Sequence, residues 1–195
     1  MEFVKNPEVM HLLREHGISP EASEEDRVHL RHEGAEGVVR LHLTSPETEV
    51  DTAPEEGSRV VSVARERLPG MVDDVIHKLR LREILLIPVG KWRHVFDAVA
   101  FSLAENEDWQ EFDAAVTVEL NGRDPLLCEP GDFQTISALM RALLSDADRP
   151  EQGVMLTTTT IPLLMEVVPA GAIRVSFGSQ VLADEILEVF ESTAG

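Results

Sequence analysis

The chain has 195 residues, 43% apolar and 27% charged, enough for one ordinary folded domain and too rich in periodic apolar blocks to be disordered. Its formal charge of -19 repels phosphate backbones and anionic membrane surfaces, and the absence of Tyr beside only two Trp leaves little with which to stack single-stranded bases. No stretch reaches the roughly 18 apolar residues of a membrane helix, and the N-terminus "MEFVKNPEVMHLL" has no signal-peptide pattern, so the cytoplasm is the expected compartment.

In chain order, "NPEVMHLLREHG" (residues 6–17) reads as a helix. Asn6 suits the cap, Pro7 the first position, Glu8 the positive end of the dipole and Gly17 the stop. "SPEASEED" follows as a polar turn. In "RVHLRHEGAEGVVRLHLT" (27–44), Val28 and Leu30 alternate with Arg27, His29 and Arg31, and Val39, Leu41 and Leu43 alternate with Arg40 and His42. That is the pattern of a β-hairpin turning at Gly34-Ala35, with His29 opposite Arg40 and Arg27 opposite His42. A helix continuing from Ser19 to His32 is the competing reading, with a thinner apolar face. Residues 47–58 hold five acids and no base and read as a linker. The expected organisation is a helix-and-hairpin unit over 1–46, an acidic linker over 47–58 and a main α/β domain over 59–195.

The main domain opens with helical pattern over 60–68 and 71–81, interrupted at Pro69-Gly70. "EILLIPV" (83–89) is continuously apolar, as a strand covered on both faces must be. Residues 92–112 read as one central helix, 114–122 as a strand, and 131–148 as a helix with Phe133, Ile136, Leu139, Met140 and Leu143 at helical spacing. Three strands follow at 153–161, 163–169 and 171–178, and residues 179–193 close the chain as an amphipathic helix. If Pro169, Ala170 and Gly171 form a three-residue loop, Glu166 stands directly opposite Arg174, an opposite-charge pair that favours that register. The fold class expected is α+β: a mixed, mostly antiparallel sheet of about five strands packed with helices.

Candidate chemistry is sparse. "PVGKWRH" places Lys91, Arg93 and His94 in the first turn of a helix, where the dipole disfavours cations, after a buried strand and Gly90. An anion held by free backbone N–H groups would reverse that sign, so Gly90, Lys91, Arg93 and His94 form a candidate phosphate or carboxylate site; the competing reading pairs Lys91 and Arg93 with the chain's surplus carboxylates or with an acidic partner chain. "HKLRLR" (77–82) places a second cationic run about 20 Å away, at the other end of the strand, where it ends a helix. Cys128, the only cysteine, excludes an intrachain disulfide and a Cys-based zinc site. At a helix N-terminus it is a weak candidate nucleophile, though Glu129 works against a thiolate and an inert buried thiol is the plainer reading.

His29 and His32 fall on opposite faces of a strand, and Arg27, Arg31 and Arg40 share the histidine-bearing face and repel a cation, so no metal is expected. That Arg/His face reads as a solvated or protein-binding surface. The four threonines at 157–160 belong in a strand. No nucleotide loop, catalytic-serine, zinc or dinucleotide motif is present, and no cofactor is expected. The expectation is therefore a non-catalytic, acidic adaptor that binds another protein, a basic one by charge, in the manner of chaperones or immunity proteins as a class. A homo-oligomer is compatible with it. The alternative is a small enzyme or ligand-binding protein using the Gly90–His94 turn.

Overall fold

An eight-stranded mixed sheet carries helices on one of its faces and a helix with a two-stranded ribbon on part of the other. The computed structural model describes residues 1–22, 27–33, 37–45, 56–115, 120–169 and 171–193. Its strands are β1 (Glu2–Phe3), β2 (Ile18–Ala22), β3 (Val28–His32), β4 (Val39–Thr44), β5 (Arg59–Ser62), β6 (Ile84–Pro88), β7 (Leu126–Cys128), β8 (Val154–Thr157), β9 (Leu163–Val168) and β10 (Ala172–Phe177). The helices are α1 (Asn6–Glu15), α2 (Leu68–Lys78), α3 (Trp92–Val99), α4 (Glu107–Ala115), α5 (Phe133–Asp146) and α6 (Gln180–Thr193). The large sheet runs β1-β7-β6-β8-β9-β10-β4-β5, and β2 pairs with β3 alone. Among the described residues every pairing is antiparallel except β4 with β5.

The α+β class holds, with eight strands in the main sheet where about five were expected. The extra strands are short: β1 has two residues, β7 three and β5 four, too few to show a period of their own. Residues 60–62, read as helix, belong to β5, and α2 begins at Leu68 with Pro69 in its first turn, where a missing N–H costs nothing. The span 92–112 is broken between α3 and α4, and a cluster of Trp92, Phe96, Trp109, Phe112 and Phe3 packs the two pieces against each other. The strand expected over 114–122 falls partly on residues 116–119, outside the described residues, while Ala114 and Ala115 end α4.

The hairpin expected between β3 and β4 does not form. Both strands exist, but β3 pairs with β2, and β4 lies between β10 and β5. "SPEA", expected in a turn, is part of β2. Pro20 is tolerated there because β2 has only one neighbour among the described strands. The expected turn at Gly34-Ala35 and most of the expected linker lie outside the described residues. Asn6 is the first residue of α1 rather than its cap. Lys5 occupies the cap position, and the carboxylate that accepts the Asn6 amide, at 3.2 Å, comes from Asp124. Gly17 ends the helix at φ 70, a left-handed conformation open to glycine.

The helix face buries Met71, Val75, Val95, Phe96, Ile136, Met140, Ile186 and Phe190 against Ile84, Leu86, Leu156, Met165, Val175 and Leu43. On the other face Val9, Leu13, Ile18 and Leu30 cover Leu85, Ile87, Val89, Met155 and Leu164. The β2–β3 ribbon is tied down where the Val28 amide donates to the Val89 carbonyl at 2.9 Å.

This second face changes character across the sheet. One row of opposed residues runs Ile87, Met155, Glu166, Arg174, His42, Val60 over six adjacent strands. The next row runs Leu85, Thr157, Leu164, Ser176, Arg40. Apolar residues lie on the β6–β8 half, beneath α1 and the ribbon, and polar residues on the β9–β10–β4 half.

Candidate functional site

The β9–β10 turn sets the site. Val168 and Ala172 are opposed, Gly171 takes φ 100, and Glu166 faces Arg174 as the sequence predicts. Arg174 Nη1 donates to Glu166 Oε2 at 3.2 Å, and His29 Nδ1, reaching across from β3, lies 3.2 Å from Glu166 Oε1. Burial by itself would raise the Glu166 pKa; hydrogen bonds and charge from His29 and Arg174 outweigh it and hold the carboxyl below its ordinary value.

One strand over, His42 is opposed to Arg174 and is only 2% exposed. Burial, with the Arg174 charge behind it, lowers the pKa of His42 and keeps the ring neutral. His32, 5% exposed, sets Nδ1 3.0 Å from the Ser176 hydroxyl. Its pKa is also lowered, chiefly by burial and further by Arg40, against a partial pull upward from the Pro162 carbonyl.

Between β3 and the polar half lies a cleft of about 40 Å³, lined by Arg31, His32, Arg40, Glu166, Arg174 and Ser176 with neighbouring apolar groups. Among the described residues, three guanidinium groups and one carboxylate line it, in a chain of net charge -19. Arg31 also reaches Glu21 on β2 at 2.8 Å. Two buried atoms of this cluster, His42 Nδ1 and Arg174 Nε, have no hydrogen-bond partner among the described residues. An orphaned buried donor such as the Arg174 Nε–H costs about 1–3 kcal/mol until an acceptor meets it.

The other sequence candidates sit apart from this cleft. A helix does begin at Trp92, after Gly90 and Lys91. Its first amides are taken: Trp92 N donates to the Gly122 carbonyl at 3.3 Å and Arg93 N to Leu120 at 2.7 Å. The Lys91 amide donates to His94 Nδ1 at 3.3 Å, so the histidine serves as an acceptor in the helix's own first turn. Gly90 packs so closely on Glu151 that a Cβ would stand 2.5 Å from its carbonyl oxygen. Carbonyl oxygens from 120–122 therefore do at this terminus what a bound anion would do, and glycine is needed there for packing.

Cys128 on β7 is fully buried, and burial, with Asp132 adding to it, pushes its thiol up to about 12. It is no nucleophile at neutral pH. The cationic run at 77–82 ends α2, with Lys78 and His77 in its last turn. Of the threonines, Thr157 completes β8, and beyond it Thr157 donates to the Leu163 carbonyl, Thr158 pairs with Thr160 and Thr159 with Glu83. Among the described residues no three His, Cys, Asp or Glu gather as metal ligands, and no helix is long and apolar enough to cross a membrane.

The cleft was only half visible in the sequence. The alternation of Arg27, His29, Arg31, Arg40 and His42 marked an Arg/His face, and the β9–β10 register marked Glu166 with Arg174. Nothing local says that the two meet. No protein family matches the chain, and no curated protein or solved structure shows a significant likeness to it.

Proposed function

We propose that this is a non-catalytic binding protein of the cytoplasm that receives another protein on the polar half of its sheet, at the Arg/His cleft. The observation that carries the reading is the clustering of cations: Arg31, Arg40 and Arg174 line one cleft with Glu166 as its only acidic liner among the described residues, in a chain of net charge -19. Such a patch selects an acidic group on the partner and steers its approach. The expected basic partner has only the overall charge behind it, and the expected site at Gly90–His94 lacks free amides in its first turn.

Capture with the purified chain tests this. Wild type is expected to retain one partner in stoichiometric amount, and Arg31→Glu with Arg40→Glu to lose it while keeping the far-UV circular dichroism of the parent. Retention of the same partner by the charge-reversed chain contradicts the reading.

One contact favours a second reading. The Ser176 hydroxyl lies 3.0 Å from His32 Nδ1 in the same cleft, the spacing of a nucleophile and its base. Against it, the ring's other contact is the Pro162 backbone carbonyl and not the carboxylate of a third catalytic member. Hydrolysis of an activated ester that is abolished in Ser176→Ala is the result that would favour this reading.

A further inference from the structure

We infer that the cleft between β3 and strands β10 and β4 is a binding site for a single small oxyanion, a carboxylate or a phosphate group. The inference rests on the reading of the polar half as the contact surface and adds the chemistry of what that surface receives. The cleft measures about 40 Å³. By the same measure a water molecule needs about 10–15 Å³, so the space admits a group the size of a small oxyanion.

The wall chemistry selects the sign. Three guanidinium groups repel a metal ion or an amine, and Glu166 is already committed to Arg174 and His29. The unmet valence is a donor: Arg174 spends Nη1 on Glu166, while its Nε–H has no acceptor. In a guanidinium the Nε–H and the neighbouring Nη2 proton form one edge, spaced for two oxygens of the same carboxylate or phosphate. The Arg174 side chain is 28% exposed, with its Nε buried in the wall of the cleft. Arg40 lies in the next row of the same face, opposite Ser176, and also lines the cleft. Glu166 fixes the guanidinium from behind, so little side-chain freedom is lost on binding.

The experiment is a titration of the full chain with sodium phosphate and with sodium acetate, each against sodium chloride at matched ionic strength. The readout is the ¹⁵N–¹H signals of the arginine Nε–H groups. The expected result is a saturable shift of the Arg174 signal with phosphate or acetate and none with chloride, weakened about tenfold in Arg40→Gln, the scale of one charge-assisted hydrogen bond. Arg40→Gln leaves the Glu166–Arg174 pair intact, so a fold failure at Arg174 does not confuse the answer. A short amidated peptide containing glutamate separates the sources. Saturation by peptide and acetate assigns the anion to a protein side chain, and saturation by the free anions alone assigns it to a small metabolite. Linear, salt-like shifts with every anion, or equal affinity in Arg40→Gln, overturn the inference. If anions saturate but no partner protein is captured, the protein-contact reading falls and the site stands. If a partner is captured and no anion saturates, the site falls alone.

Discussion

Glu166 and Arg174 stand directly opposite each other on β9 and β10, joined at 3.2 Å, and the pair sits at the line where the second face of the sheet turns from apolar to polar. Glu166 is 14% exposed at its side chain, so its charge is tolerated only because Arg174 and His29 share it. Arg174→Ala leaves that carboxylate buried and half-paired and is expected to cost about 3 kcal/mol in urea unfolding. The double variant Glu166→Gln/Arg174→Gln is expected to cost less than the sum of its parts, which a double-mutant cycle reads directly.

Acid should destabilise the fold. His32 and His42 have pKa values lowered from 6.5 in the folded chain, so below 6.5 the unfolded chain binds more protons and stability falls with pH. Glu166 acts in the same direction at lower pH: its carboxyl is lowered from 4.5, so the stability it contributes above that value is lost as pH falls through its folded pKa. Urea midpoints measured from about pH 7.5 down to about pH 5 should decline, and His42→Leu should decline less steeply over the same range. A midpoint that rises on acidification contradicts the burial of neutral histidines against Arg174 and Arg40.

At the α3 terminus, glycine and cations play different parts. Gly90→Ala pushes a methyl group into the Glu151 backbone, which stands 2.5 Å from an ideal Cβ, and is expected to destabilise by about 1–3 kcal/mol. Arg93 is exposed in the first turn of α3, against the dipole, so Arg93→Glu is expected to stabilise by about 0.5 kcal/mol. Loss of stability in Arg93→Glu would show that the guanidinium has a partner there.

Cys128 should be silent. With a thiol pushed up to about 12 and no exposure, the native chain is expected to resist iodoacetamide and to react only as fast as it unfolds. Rapid alkylation in native buffer would show that β7, one strand in from the sheet's edge, opens locally.

Elements whose partners are local were legible in the sequence. The β9–β10 register follows from a three-residue loop and one opposite-charge pair; β6 follows from five consecutive buried residues, and α5 from its apolar spacing. β3 and β4 alternate equally well, but alternation specifies a face and not a neighbour. The choice of β10 for β4 is made through Leu41, Leu43, Val175 and Phe177, which share the helix-side core. β5 was misread because "RVVSVAR" has too few residues to separate a strand of period two from a helical turn. The cleft escaped for the same reason as the pairing: Arg40, Arg174 and His32 belong to three segments that only the tertiary fold brings together.

The most direct test of the account is a map of amide chemical-shift changes on the full chain when it is saturated with its captured partner. The account predicts changes concentrated on β10, β4 and β3 around Arg174, Arg40 and His32, with α2, α5 and α6 unmoved. Changes confined to the helix side, with β10 and β4 silent, would contradict it.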